Sequence, residues 1–159
     1  MSTLDELFAH LREASTPTEI ETLQSGIWQI WLTTGEHVLD KHLEAGMRAL
    51  AAGNYTQAIH DFTDLIELAP SYAEGWNKRA TAYYLRGEYR ASLDDIRETL
   101  RREPRHFGAL SGWATMLRTL ADDRGTLRVL TRLEQLCPHW PGLQSQLRDL
   151  RDQLGNSGE

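Results

Sequence analysis

Six histidines, one cysteine and two adjacent aspartate pairs are the side chains weighed first for catalysis or metal binding in this 159-residue chain. The histidines stand at 10, 37, 42, 60, 106 and 139. A helix presents two ligands on one face at a spacing of three or four, as in His-Glu-x-x-His. His37 and His42 are five apart, so no metal site is expected, and His42 reads as a partly buried ring. Asp94-Asp95 and Asp122-Asp123 are sequence neighbours that point in different directions on a helix, so both read as solvated carboxylates rather than an acid–base couple. Cys137, beside Pro138 and near Trp140, reads as a small buried hydrophobe with no base to activate it. The sequence has no glycine-rich phosphate loop, Gly-x-Ser-x-Gly elbow or Cys-x-x-Cys pair. The set yields no catalytic residues, no cofactor and no metal, and the chain is read as a non-enzyme.

What must position a binding surface is therefore the larger question. One cysteine excludes an intramolecular disulfide and a cysteine-rich zinc site. The formal net charge of -6 argues against nucleic-acid binding, which wants a basic face. That charge is uneven, with a net -9 over residues 1–75 and +3 over residues 76–159. No run reaches the ~18 apolar residues of a membrane helix. Met1-Ser2-Thr3-Leu4-Asp5-Glu6 has neither a basic nor an apolar leader segment, so a cytoplasmic chain is expected as given, or a periplasmic one if an export signal has been removed.

A repeat organises the middle of the chain. Pro70, Pro104 and Pro138 are each 34 residues apart. At the same period Gly53-Asn54-Tyr55 falls on Gly87-Glu88-Tyr89 and then on Ala121-Asp122-Asp123. Gly46, Ala80 and Ala114 coincide as small residues, as do Ala58, Ser92 and Thr126; Phe62, Ile96 and Leu130 coincide as bulky ones. Ala73 to Arg86 carries Trp76, Ala80, Tyr83 and Tyr84 near one helical face, with Trp76 expected in the core. Gly87 can take the positive φ that ends a helix. A second helix over Tyr89 to Arg102 is stopped by Pro104, which lacks a donor and disfavours helix at Glu103. Each hairpin alone leaves an apolar face wet, so neighbours must stack.

These residues resemble the tetratricopeptide repeat, whose 34-residue signature runs Trp-x2-Leu-Gly-x2-Tyr, Ala-x3-Phe, Pro. Trp76, Arg79, Ala80, Tyr83, Ser92, Ile96 and Pro104 occupy those places in the middle repeat. Ala45, Gly46, Ala49, Ala58, Phe62 and Pro70 do so in the first, where His42 replaces the tryptophan. Leu110, Trp113, Ala114, Leu117, Leu130 and Pro138 do so in the third, where Ala121 and Thr126 depart from the pattern. Residues 73–112 are most similar to small bacterial three-repeat proteins of unassigned function, members of which often carry an export signal. The resemblance implies an all-α, right-handed α-solenoid of three helical hairpins, 39–72, 73–106 and 107–140, with capping helices at both ends.

The ends are read as caps. Leu143, Leu147, Leu150 and Leu154 form an amphipathic closing helix over 141–154, before a disordered tail at 155–159. In residues 1–35, Thr3 with Glu6 can form a capping box, and Thr16-Pro17-Thr18-Glu19 opens a second helix bearing Ile20, Leu23, Ile27, Ile30 and Trp31. These two helices are expected over the first repeat, where they would cover Leu43 and Leu50, or as a homodimer surface around Trp28 and Trp31.

In the resembled family, repeat positions 2, 5, 9 and 12 face a concave groove. Carried over, the partner-binding candidates are Leu43, Met47, Leu50, Asn77, Thr81, Tyr84, Ser111, Thr115 and Arg118; Asp40, Glu74 and Gly108 fill position 2. Family members that grip the acidic C-termini of heat-shock chaperones use Lys and Asn where Leu43 and Met47 stand, and Gly108 and Gly112 fall where further cations are expected. That clamp is therefore disfavoured. The resulting expectation is an adaptor that binds a protein or peptide partner in the groove, with no nucleic acid and no membrane. The alternative is a small secretion-type chaperone acting as a dimer.

Overall fold

The computed structural model describes residues 3–156, which contain nine helices and no strand. In chain order these are α1 (Leu4–Glu13), α2 (Pro17–Trp31), α3 (His37–Ala51), α4 (Tyr55–Leu68), α5 (Ala73–Leu85), α6 (Tyr89–Arg102), α7 (Phe107–Thr119), α8 (Asp123–Leu136) and α9 (Leu143–Asn156). The chain divides into two compact units, one of residues 31–109 and one of the remaining described residues.

In the unit of residues 31–109, α3 pairs with α4 and α5 with α6, while α4 lies against α5. The intra-hairpin turns share one geometry. Gly53 and Gly87 have φ of 75° and 84°. Gly53 N–H donates to Leu50 O and Asn54 N–H to Ala49 O; Gly87 N–H donates to Tyr84 O and Glu88 N–H to Tyr83 O. This is the Schellman closure, which satisfies the last carbonyls of a helix. The first hairpin closes on Leu43, Ala58, Phe62 and Leu65, with Ala82 of the next helix completing the cluster. Close approach there depends on Gly46, because a Cβ at that position would lie 2.3 Å from the fully buried Phe62 ring.

Trp76 is not in this core. It is half-buried, its indole N–H donates to Pro70 O at 3.0 Å, and the Arg102 guanidinium lies 4.5 Å above its ring. Arg102 Nε donates to the same carbonyl. The loop after α4 exposes a carbonyl that needs donors, and the indole serves there as a staple with a cation on its face.

In the other unit, α8 packs on α9 and α1 packs on α8. The third turn repeats the first two without glycine: Ala121 has φ of 55°, its N–H donates to Arg118 O, and Asp122 N–H donates to Leu117 O. Asp122 then caps α8 by accepting from Gly125 N–H at 2.8 Å. Both N-terminal boxes form, with Thr3 Oγ1 accepting from Glu6 N–H and Thr16 Oγ1 from Glu19 N–H. Hydrogen bonds from the Ser15 and Thr16 amides hold the Glu19 carboxyl below its usual range. The buried Phe8 and Leu11 of α1 belong to a helix that lies against α8. An apolar stripe specifies a face and not the surface that covers it. α9 also runs through Gly155 to Asn156, and the rest of the expected tail, 157–159, lies outside the described residues.

Candidate functional site

α3 and α5 carry six of the groove candidates. Leu43 is 3% exposed within the hydrophobic cluster, and Met47 and Leu50 pack partly against it together with Leu32. Asn77 is also buried, while Tyr84 is half-buried with its ring 5.3 Å from that of Tyr89. Thr81 is exposed, its hydroxyl donating back to Asn77 O. The open part of this face is thus the C-terminal half of α5.

The reason Asn77 is buried is a polar network that the sequence reading did not assemble. Asn77 Nδ2 donates to Glu74 Oε1 at 2.6 Å, and Glu74 Oε2 lies 2.9 Å from His106 Nε2. Ala109 N–H donates to His106 Nδ1 at 3.0 Å, so the ring proton resides on Nε2 and points at the carboxylate. Glu74 is 1% and His106 0% exposed. The indole of Trp31, at the end of α2, stacks on the imidazole at 4.2 Å and 9°. Tyr72 Oη donates to Trp31 O at 2.5 Å. Burial pushes the Tyr72 phenol well above its usual range, and the carboxylates of Glu74 and Asp40 push it further, so it remains a donor. A carboxylate–imidazole pair can orient a general base. Here both imidazole nitrogens are engaged and one ring face is covered, so the pair fixes the plane of the ring. The sequence signal was available: Tyr72, His106 and Trp140 share one register of the 34-residue period, each just before a helix of its repeat or the cap.

In the other unit Ser111, Thr115 and Arg118 of α7 line one recess of about 140 Å³. Leu130 and Leu133 of α8 and Leu143 of α9 supply apolar wall, and Arg118 Nη1 donates to Gln146 Oε1 at 2.9 Å. The recess offers hydroxyls and a guanidinium beside aliphatic surface, which suits an amphipathic side chain of a peptide.

One expectation about charged residues changes. Asp95 is 4% exposed and not solvated: Arg79 grips it through Nε at 2.7 Å and Nη2 at 2.9 Å, and Arg79 Nη1 donates to Thr63 Oγ1 at 3.1 Å. Burial pushes the Asp95 carboxyl up, against the opposing pull of the two Arg79 bonds. Asp94, by contrast, is exposed. His60, Asp61 and Asp64 bring ligand-type atoms within 4.8 Å of one another on α4, a grouping the reading of His37 and His42 passed over. His60 is exposed and pairs with Asp64 at 3.5 Å, while Asp61 accepts from Gln57, an arrangement ordinary for a solvated helix face. Cys137 is fully buried, and burial pushes its thiol up, away from nucleophilic reactivity. Among the described residues, no helix is long and apolar enough to cross a membrane.

Comparison with known proteins supplies the family. A TPR repeat-containing protein of Rhizobium etli is 32% identical over 154 residues, covering 97% of this chain and 76% of the relative. The chain belongs to the tetratricopeptide-repeat family. No family model matches it. Among solved structures, the Sgt2 TPR domain of Aspergillus fumigatus aligns with a TM-score of 0.63 at 19% identity, over 77% of this chain and 82% of that one. The TPR2B-domain:pHsp70 complex of yeast Sti1 aligns with a TM-score of 0.62 at 16% identity, over 72% and 97%. These likenesses concern fold, and the fold is the all-α tetratricopeptide-repeat fold.

Proposed function

We propose that this tetratricopeptide-repeat chain is a non-enzymatic adaptor that holds a segment of a partner protein against the concave positions of its repeats. The observation that carries this reading is the α7–α9 recess, where Ser111, Thr115 and Arg118 supply hydrogen-bonding groups beside apolar wall. Thr81 and Tyr84 on α5 offer further contacts at the same repeat positions. The Sti1 neighbour, seen in complex with pHsp70, is a precedent for a partner on this fold. The partner read here is not an acidic chaperone C-terminus, because Leu43 and Met47 stand where Lys and Asn would be needed. The alternative, a secretion-type dimer built around Trp28 and Trp31, is less favoured because one face of the Trp31 ring is already taken up by His106 within the chain.

The test is affinity capture with quantitative mass spectrometry, comparing the wild-type chain with a Thr115→Ala/Arg118→Ala variant of unchanged helical circular dichroism. A prey protein recovered by the wild type is expected to fall at least tenfold with the variant. Equal recovery would remove the recess from the binding surface.

A further inference from the structure

The seat of Trp31 has the makings of a ligand subsite. Its floor is a flat imidazole ring held in plane by Glu74 and by the Ala109 amide, and its wall is Phe107, whose ring centroid is 5.0 Å from that of the indole. Its rim is the Tyr72 hydroxyl, which reads a main-chain carbonyl rather than a side chain. Burying Glu74 and Asn77 to shape an imidazole floor costs desolvation that an aliphatic core would avoid. A parallel ring platform beside a donor aimed at a backbone carbonyl recognises two things at once: an aromatic side chain, and the peptide group that carries it. The occupant is only half-buried, and it ends α2 where residues 32–36, lying outside any helix, lead to α3. The network also begins at Glu74 and Asn77, repeat positions 2 and 5, which are concave positions by family resemblance.

We propose that this seat is a subsite for an aromatic residue, tryptophan above all, of a partner's segment, and that the chain's own Trp31 fills it until such a segment displaces it. The proposal rests on the adaptor reading for its partner and adds the chemical class recognised and the intramolecular competitor.

The test uses the full chain and a fluorescein-labelled synthetic peptide of its own residues 25–36, followed by fluorescence polarisation. In the Trp31→Ala variant the seat is vacated, and the peptide is expected to bind at least tenfold more tightly than it binds the wild type. The same peptide carrying Trp31→Ala, which retains Trp28, is expected to lose that binding, and a Trp31→Phe peptide to keep part of it. Equal affinity for variant and wild type, or binding indifferent to the residue at 31, overturns the proposal. Should the alanine variant lose helical circular dichroism, the wild-type chain carries the test alone: millimolar wild-type peptide is expected to shift the resonance of 5-fluorotryptophan at position 31, and an unmoved resonance overturns the proposal. The two readings fail separately. A captured partner whose recovery is unaffected by Trp31→Ala, with no trans binding of the peptide, leaves the adaptor and removes the subsite. Trans binding without any captured partner does the reverse.

Discussion

Ala121→Gly should stabilise the protein through a single backbone torsion. Ala121 has φ of 55° in a turn whose counterparts are Gly53 and Gly87, and the pair of closing hydrogen bonds is the same at all three. An L-residue with a Cβ in that region is strained by about 1–2 kcal/mol. Glycine relieves the strain but gives back about 0.4–1 kcal/mol through its greater freedom in the unfolded chain. The net gain is about 1 kcal/mol, and for a chain of this size that corresponds to a rise in Tm of about 2–4 °C. Gly87→Ala is the reciprocal perturbation and should lower Tm by a similar amount. No atom lies within 4 Å of a Cβ built on Gly87, so that substitution reports torsional strain free of steric contact. Differential scanning calorimetry of the two variants and the wild type is the assay. If Ala121→Gly left Tm unchanged while Gly87→Ala lowered it, the third turn would not share the geometry of the second.

Gly46→Ala should destabilise despite the better helix propensity of alanine, since overpacking against the Phe62 ring costs about 1–3 kcal/mol and propensity returns about 1 kcal/mol. Phe62→Leu in the same chain should soften the effect of Gly46→Ala, and a double-mutant cycle by urea denaturation measures the coupling. Asp95→Ala leaves the Arg79 guanidinium, 16% exposed, without its carboxylate, and should cost about 3 kcal/mol; the joint replacement Arg79→Met/Asp95→Leu should cost less, both read from urea midpoints. Because the Glu19 carboxyl is held below its ordinary value of 4.5, its stabilising contribution is present above that value and lost as pH falls through the lowered one. Urea midpoints from pH 6 to pH 3 should therefore fall less steeply in Glu19→Gln than in the wild type, and equal slopes would deny the Glu19 cap a role.

Much of this fold is legible because it is local. The Thr3–Glu6 and Thr16–Glu19 boxes span three residues, the turns at Gly53 and Gly87 require positive φ, and Pro104 stops α6 by removing a donor. The third turn, where Ala121 departs from the glycine pattern, was the least legible of the three, its place in the period being the sole pointer to it. What was not legible depends on partners far apart in the chain. Asp94 and Asp95 are the same residue type in the same helix, and only Arg79, sixteen positions back, makes one a buried ion pair and leaves the other in water. Glu74 and His106 are 32 residues apart, so neither looks like half of a pair until α5 and the start of α7 are in place. Trp76 obeys the core periodicity, but its indole N–H finds the Pro70 carbonyl and draws the ring to the loop. For the candidate site, the family positions located Thr81, Thr115 and Arg118 on accessible faces. They gave no warning that Asn77 would be closed off, and Leu43, for which cover by the N-terminal helices was an equal expectation, is closed off by packing within the unit of residues 31–109.

Site-specific photocrosslinking tests the central claim most directly. A benzophenone amino acid placed at exposed Thr81 or Thr115, on the first helices of the second and third hairpins, is predicted to crosslink the captured partner, and one at exposed Arg97 on α6 is predicted not to. Crosslinking at residue 97 with none at 81 or 115 would place the partner on the opposite helices and contradict the account.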